Sequence, residues 1–434
     1  MAAVELNEKA ALHDHAERAL ALMRAQGFDE AQVGVSLRLQ DELNIALDEP
    51  SLLRSTEVAK LSLLGLLDGR KASAELSDLA DESIRARVAS LYAEARAAPQ
   101  DDANAVSAGQ RASIVQGPQV ADTNLLADSV AELLAFRARA TPKMMIDEGY
   151  AAHTLARNHV LTSAGSVLDA SVGWYSLSAF GTARDGAQSS SFNFAGGNCH
   201  DLRDAPAQAH FGIDEMLRDT ERQIHTRQLD GNFVGDVVLM PSAVADLIEW
   251  LHGQISDMHL IAGSSLYRER VGSAVASPLL HLHSRFDAPG VAALSVDAFA
   301  TPPVEILRAG TLMTLTPSLY ASRKTGIAHV PVAASGWVLA AGDTARSELL
   351  AGVSQGALVG RLSMGSPAPN GDFSGVIKNS FVIADGVLGA ALSEVMISGN
   401  VAQMLRDVRA VSRERIDCGN LLLPWLRIGN LHFS

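Results

Sequence analysis

Apolar positions recur at helical spacing over residues 5–26, where Leu12, Ala16, Ala19, Leu20 and Met23 fall on one face. The period then changes to two. In "VGVSLRL" the residues Val33, Val35, Leu37 and Leu39 alternate with others, which predicts a half-buried strand. "LNIALD" and "KLSLLGLLDGRKASAEL" continue the alternation, with "DGR" at 68–70 as the turn between two strands. Helical spacing returns over 78–98, with Ser77 or Asp78 placed to cap it. The small, polar stretch 98–121 reads as a loop or linker, and a helix follows over 123–140.

Farther along, residues 159–197 alternate strand patterns with Gly and Ser turns, which predicts a meander. A polar helix near 212–228 leads to a short buried strand, "GDVVLMP" at 235–241, and then to an amphipathic helix, "PSAVADLIEWLHGQISDMH" at 241–259. From 270 onward short strands punctuated by Gly and Pro predominate, with one helix at 344–355. The pattern predicts an α+β protein of two domains. Residues 1–210 form an N-terminal domain of helices and antiparallel strands, and 211–434 a domain dominated by a large, curved, barrel-like antiparallel sheet.

Composition sharpens this picture in four respects. At 47% hydrophobic and 19% charged residues over 434 positions, the chain can bury a large core. No apolar run approaches the about 20 residues of a membrane helix, and the charged, helical start argues against a secretory signal. Two cysteines make no disulfide framework, so a reducing, cytoplasmic setting is expected. The net charge of -14, with no basic run, disfavours direct contact with nucleic acid.

No catalytic set stands out from spacing alone. A zinc-peptidase helix places two histidines at i and i+4 with a glutamate beside the first. "EWLHGQ" instead offers Glu249 and His252 at i, i+3, with His259 seven residues beyond His252, so core packing by Val244, Leu247, Ile248 and Leu251 explains the helix better. His281 and His283 lie two apart on one strand face but lack an evident third ligand. "GVSQG" matches G-x-S-x-G around Ser354, yet the order is helix then strand, the reverse of a nucleophile elbow, and Gly356 reads as a helix C-cap. Cys199 and His200 adjoin in the Gly-rich loop "GGNCH", where neighbouring side chains point apart, and Cys199 and Cys418 read as small buried hydrophobes. There is no P-loop and no G-x-G-x-x-G.

Several stretches together resemble the TldD/PmbA family, peptidase-associated proteins historically labelled modulators of DNA gyrase. They are "GDVVLMPSAVADLIEWL", "SSLYRERVGSAVASPLLHLHSR", "VEILRAGTLMTLTPSLYASRKTG", "NGDFSGVIKNSFVIADGVL", "EVMISGNVAQMLRDVRAVS" and "DCGNLLLPWLRIGNL". The family has one kind of chain with a His-Glu-x-x-x-His helix and a C-terminal cysteine ligand, and a PmbA or TldE kind without that motif. Laid on the pattern, Glu249, Trp250 and Gln254 stand at the histidine, glutamate and second histidine, while Cys418 matches the cysteine as a remnant ligand position. A further segment, "VDAFATPPVE", keeps Asp297 and Pro302 of the family's Asp-x-Glu-Gly-x-Pro-Thr but loses the acidic-glycine pair.

The resemblance implies a PmbA/TldE-like subunit of a TldD/TldE-type metallopeptidase complex acting on unfolded peptides. Zinc and the general base would come from the TldD-like partner, with no catalytic residue, metal or cofactor in this chain. Two other expectations stand beside it. One is a homodimeric peptide-binding or scaffold protein that has lost peptidase function; the other is a peptidase using His281, His283 and Cys418.

Overall fold

The computed structural model describes residues 2–229, 231–333, 336–393 and 395–434, with side chains from residue 12 onward. The N-terminal portion runs α1 (Ala2–Gln26), β1 (Glu30–Ala46), β2 (Glu49–Leu67), β3 (Arg70–Leu76), α2 (Asp81–Ala97), β4 (Arg111–Gln116), α3 (Thr123–Ala140), β5 (Met144–Thr162), β6 (Val167–Asp185), β7 (Gln188–Ser189), β8 (Asn193–Cys199) and α4 (Ile213–Arg222). Its strands form one sheet in the order β3-β2-β1-β5-β6-β4, with β7 and β8 also on β6.

Alternation decides which face of this sheet is covered. Val33, Val35 and Leu37 of β1 point toward α1 and α2 with Leu61 and Leu63 of β2, and Leu12, Ala16, Leu20 and Met23 of α1 complete that cluster. At the other end of the same face, α3 and α4 pack Leu126, Leu133, Ile213 and Leu217 against Ile146 and Leu177. Hairpin register is set by turns that need φ > 0 at both central positions, as at Asp68 (φ 50°) and Gly69 (φ 71°). Asp122 caps α3 by accepting from Leu125 N at 3.3 Å.

The C-terminal portion continues with β9 (Thr226–Arg227), β10 (Phe233–Leu239), α5 (Pro241–Ile255), α6 (Asp257–Ala262), β11 (Leu282–Ser284), β12 (Glu305–Arg308), β13 (Thr311–Leu312), α7 (Leu319–Thr325), β14 (Trp337–Leu339) and α8 (Arg346–Ala351). Then come β15 (Gln355–Val359), β16 (Arg361–Ser363), β17 (Asp372–Lys378), β18 (Ser380–Ala384), β19 (Val387–Leu392), β20 (Val395–Asn400), α9 (Val401–Arg406), β21 (Val408–Asp417) and β22 (Leu421–Phe433). The sheet is large, curved and mostly antiparallel, and β22 is its hub, pairing with β10, β14, β20 and β21. Three pairs run parallel: β10–β15, β14–β22 and β19–β9. The long connection from β10 to β15, which contains helices, is what a parallel pair requires. Helix α5 buries Val244, Leu247, Ile248 and Leu251 in the core of this sheet. Among the described residues no helix is long and apolar enough to cross a membrane.

Several local expectations are corrected. The stretch 98–121 contains β4, whose residues pair in parallel with 167–172 of β6, so it is integrated into the sheet. "GGNC" belongs to β8, an antiparallel neighbour of β6, and is not a loop. The C-cap of α8 is Gly352, whereas Gly356 lies in β15, where an added Cβ would come 1.8 Å from Asp236 O. Ala80 occupies the N-cap position of α2, and Asp78 instead accepts from Ala80 N at 3.0 Å. The helix expected over 241–259 breaks at Ser256, so His259 lies on α6 and shares no helix face with His252. The helices near 212–228 and 344–355 are shorter than expected, at 213–222 and 346–351.

Candidate functional site

The edge of the N-terminal sheet meets the C-terminal portion at β8. Asn198 N donates to Cys418 O at 3.1 Å, and Cys418 N donates to Leu421 O at 2.8 Å. Glycine makes this approach feasible: a Cβ on Gly197 would lie 2.8 Å from Cys418 Cα. Gly419, at φ 84°, turns the chain immediately after it.

Beside this junction opens a cleft of about 870 Å³. Its walls are the outer edge of β8, the first turns of α4, the start of α5 (Met240, Pro241, Ser242), and Ile416, Cys418 and Leu421 at the β21–β22 turn. Phe180 and Phe194 give it an apolar, partly exposed side. Because Asn198 N points away from β6, ladder alternation turns the amide groups of Gly196 and Phe194 outward as well. Phe194 N is satisfied by Asn193 Oδ1 at 3.0 Å.

Two carboxylates one helical turn apart on α4 line the same cleft. Glu215 pairs with Arg346, whose guanidinium lies 4.5 Å from the centroid of the Trp425 ring. Asp219 is buried, and burial first, then the charge of Glu215, push its carboxyl up to about 6 despite Arg222 at 3.1 Å.

Of the positions singled out in the sequence, Cys418 lines this cleft and the others lie elsewhere. Glu249 is exposed on α5. Trp250 packs edge-on against Tyr267 with ring centroids 6.1 Å apart. Gln254 is buried, with Nε2 donating to Pro369 O at 3.3 Å and Oε1 accepting from Leu266 N at 3.0 Å, so both ends of its amide tie down backbone. Asp246, one turn before Trp250, is pushed up to about 7 by burial and then by Glu249. His252 contacts the Trp337 ring at 4.9 Å, and burial lowers its pKa. His259 Nδ1 lies 2.9 Å from Ser264 Oγ.

His281 and His283 are both exposed; His281 Nδ1 accepts from Ala309 N at 3.3 Å. Neither groups with Cys418 as a three-ligand cluster among the described residues. Cys418 and Cys199 are both pushed up to about 12, chiefly by burial, so they stay as thiols at neutral pH. Ser354 is exposed in the turn from α8 to β15, where its carbonyl accepts from Asp385 N at 2.7 Å. Asp297 accepts from Leu319 N at 2.7 Å and lies 3.2 Å from His329 Nε2, holding the start of α7.

Residues 233–434 match the PmbA/TldA metallopeptidase C-terminal domain. This half of the chain is a PmbA/TldD-family domain. No curated protein sequence matches the chain. The PmbA/TldD-type fold extends through the N-terminal portion too. TldE from Thermococcus kodakarensis superimposes with a TM-score of 0.82 at 17% identity, over 97% of this chain and 100% of that one. A protein described as a modulator of DNA gyrase from Bacteroides thetaiotaomicron gives 0.85 at 19%, over 97% and 98%. Another so described, from Thermotoga maritima, gives 0.77 at 16%, over 97% and 100%.

A PmbA/TldD metallopeptidase domain raises the question of zinc at α5, and the donor set here does not fit it. A tetrahedral site wants about four N, S or O ligands converging on one point. Gln254 has both amide ends committed to backbone, Trp250 has no lone pair to give, and Glu249 faces solvent. What sequence reasoning missed is the cleft itself. Glu215, Asp219 and Gly197 carried no motif, although the paired acidic residues on an otherwise amphipathic helix were a signal for the first two.

Proposed function

We propose that this chain is the PmbA/TldE-like, non-zinc subunit of a two-subunit metallopeptidase, and that it holds unfolded peptide along the β8 cleft for a partner that carries the His-Glu-x-x-x-His helix. The observation that carries the reading is Gln254. Laid on the family pattern, the second histidine falls at Gln254, whose buried amide braces two backbone segments, a structural use of the helix in place of a chemical one. The cleft supports the peptide half of the proposal, since the outward-facing backbone of β8 around Gly196, beside Phe180 and Phe194, suits a short added strand of little side-chain selectivity. The residues of this chain would bind and orient the peptide and exclude water from it; proton transfer and metal chemistry would belong to the partner.

The peptide half has its own test. In an added strand only every second residue turns its amide toward β8. Scanning a bound peptide with N-methyl groups is therefore expected to weaken binding at alternate positions, each by about 2- to 10-fold, the equivalent of one net backbone hydrogen bond. A flat scan would show that the peptide does not bind as a strand.

A further inference from the structure

The described residues contain one cluster of three His, Cys, Asp or Glu side chains whose ligand atoms all lie within 4.8 Å of one another, and it is far from α5 in sequence: His13, His159 and Asp169. His13 comes from α1, His159 from β5 and Asp169 from β6. His159 and Asp169 face each other across the β5–β6 ladder. A single carboxylate oxygen, Asp169 Oδ1, lies 2.8 Å from His13 Nε2 and 2.9 Å from His159 Nδ1. The imidazoles stack with centroids 3.8 Å apart, so the two nitrogens approach that oxygen side by side.

We propose that His13, His159 and Asp169 form a binding site for a divalent transition metal of the Zn²⁺ class, which fastens α1 to the N-terminal sheet. Two imidazole nitrogens and one carboxylate oxygen are the donor types borderline metals choose, and three protein ligands leave a fourth position for water. His13 is one-third exposed and Asp169 one-fifth, so an ion and its water can reach the cluster from solvent. His159 is almost fully buried and stacked on His13, so its ring is held in place facing Asp169. Glu17 is one helical turn from His13 and adds negative charge on the same side.

In the metal-free state each ring nitrogen facing Asp169 carries the proton it donates. On binding, each neutral ring moves that proton to its other nitrogen and offers the lone pair. The carboxylate draws back to admit the ion and exchanges two accepted hydrogen bonds for one metal bond. No net proton is released by neutral rings. The resulting link would join α1 to β5 and β6 beside the apolar cluster that packs α1 on the sheet.

The test uses the full chain, without a histidine tag and freed of metal with chelator, titrated with Zn²⁺ against a chromophoric competitor and separately with Co²⁺. The expected result is one Zn²⁺ per chain with a Kd in the micromolar range or tighter, and visible Co²⁺ bands of a nitrogen–oxygen site. His13→Gln and Asp169→Asn are each expected to weaken binding at least 10-fold and to abolish the rise in melting temperature on adding Zn²⁺. His13→Gln, on a partly exposed helix position, keeps the test valid if Asp169→Asn fails to fold. Absence of stoichiometric binding, or binding that survives both substitutions, overturns the proposal. Zinc lost only on Cys418→Ser would overturn it and would also contradict the non-zinc reading of α5, whereas zinc held by the His13 cluster leaves that reading untouched.

Discussion

Gly197→Val is expected to destabilise the protein by about 3 kcal/mol, at the upper end of what overpacking costs. The new Cβ would lie 2.7 Å from Phe211 Cδ1 and 2.8 Å from both Cα and O of Cys418. Two of these three contacts are backbone, so no flexible side-chain tip can swing away. The Cys418 backbone is itself held by Leu421 O on one side and Asn198 N on the other. Relief therefore comes only by parting β8 from the β21–β22 turn, which would also distort the cleft wall and weaken peptide binding. Gly253 supplies the control. A Cβ there meets nothing within 4 Å, and its φ is not in the left-handed region. Gly253→Ala in α5 is expected to stabilise by about 0.5–1 kcal/mol through helix propensity and reduced unfolded-state entropy. Urea unfolding of the two variants measures both effects, and a Gly197→Val variant within 0.5 kcal/mol of the parent, on the scale of an ordinary surface change, would show that the junction yields easily.

The second large effect is on pH dependence, through Asp219. Its folded-state pKa of about 6 lies above the ordinary aspartate value of 3.8, so between these values the folded state holds a proton that the unfolded state has lost. Stability from this group is thus full below about pH 4, falls as pH rises toward 6, and changes no further above that. The 2-unit difference corresponds to about 3 kcal/mol, at 1.36 kcal/mol per unit. Asp219→Asn removes the titration, so the difference in unfolding free energy between parent and variant is expected to shift in the variant's favour by that order from pH 4 to pH 7. Because Asp219 lines the cleft, the same proton makes occupancy of the site by an anionic group more favourable below pH 6 than above it. A parent-minus-variant difference that stays constant with pH would place the Asp219 carboxyl in an ordinary solvated setting.

Much of the architecture was legible because its elements are long and periodic. The apolar faces of α1 and α3, the alternation of β1, and the strand–proline–helix unit of β10 and α5 each carry enough repeats to fix a period. Elements without that redundancy were not legible. β4 has six residues, its alternation shows only in the structure, and its partner lies 56 positions away in sequence. β8 is built around Gly196 and Gly197, which read as a loop until the close approach of Ser178 and Cys418 shows why side chains are excluded. The break at Ser256 has no proline or glycine at the boundary to announce it. At the candidate site, Glu249, Trp250 and Gln254 were singled out by laying the chain on a family pattern. The cleft could not, because it is assembled from β8, α4, α5 and the β21–β22 turn. The His13–Asp169 contact spans 156 residues and leaves no local trace at all.

The most direct test of the central claim is cleavage of an unfolded peptide by this chain alone, by a PmbA/TldD-family partner that carries the His-Glu-x-x-x-His helix, and by the two together. The account predicts no cleavage by this chain alone and a rate for the mixture well above that of the partner alone, abolished by chelation. A mixture no faster than the partner, or chelator-sensitive cleavage by this chain on its own, would contradict it.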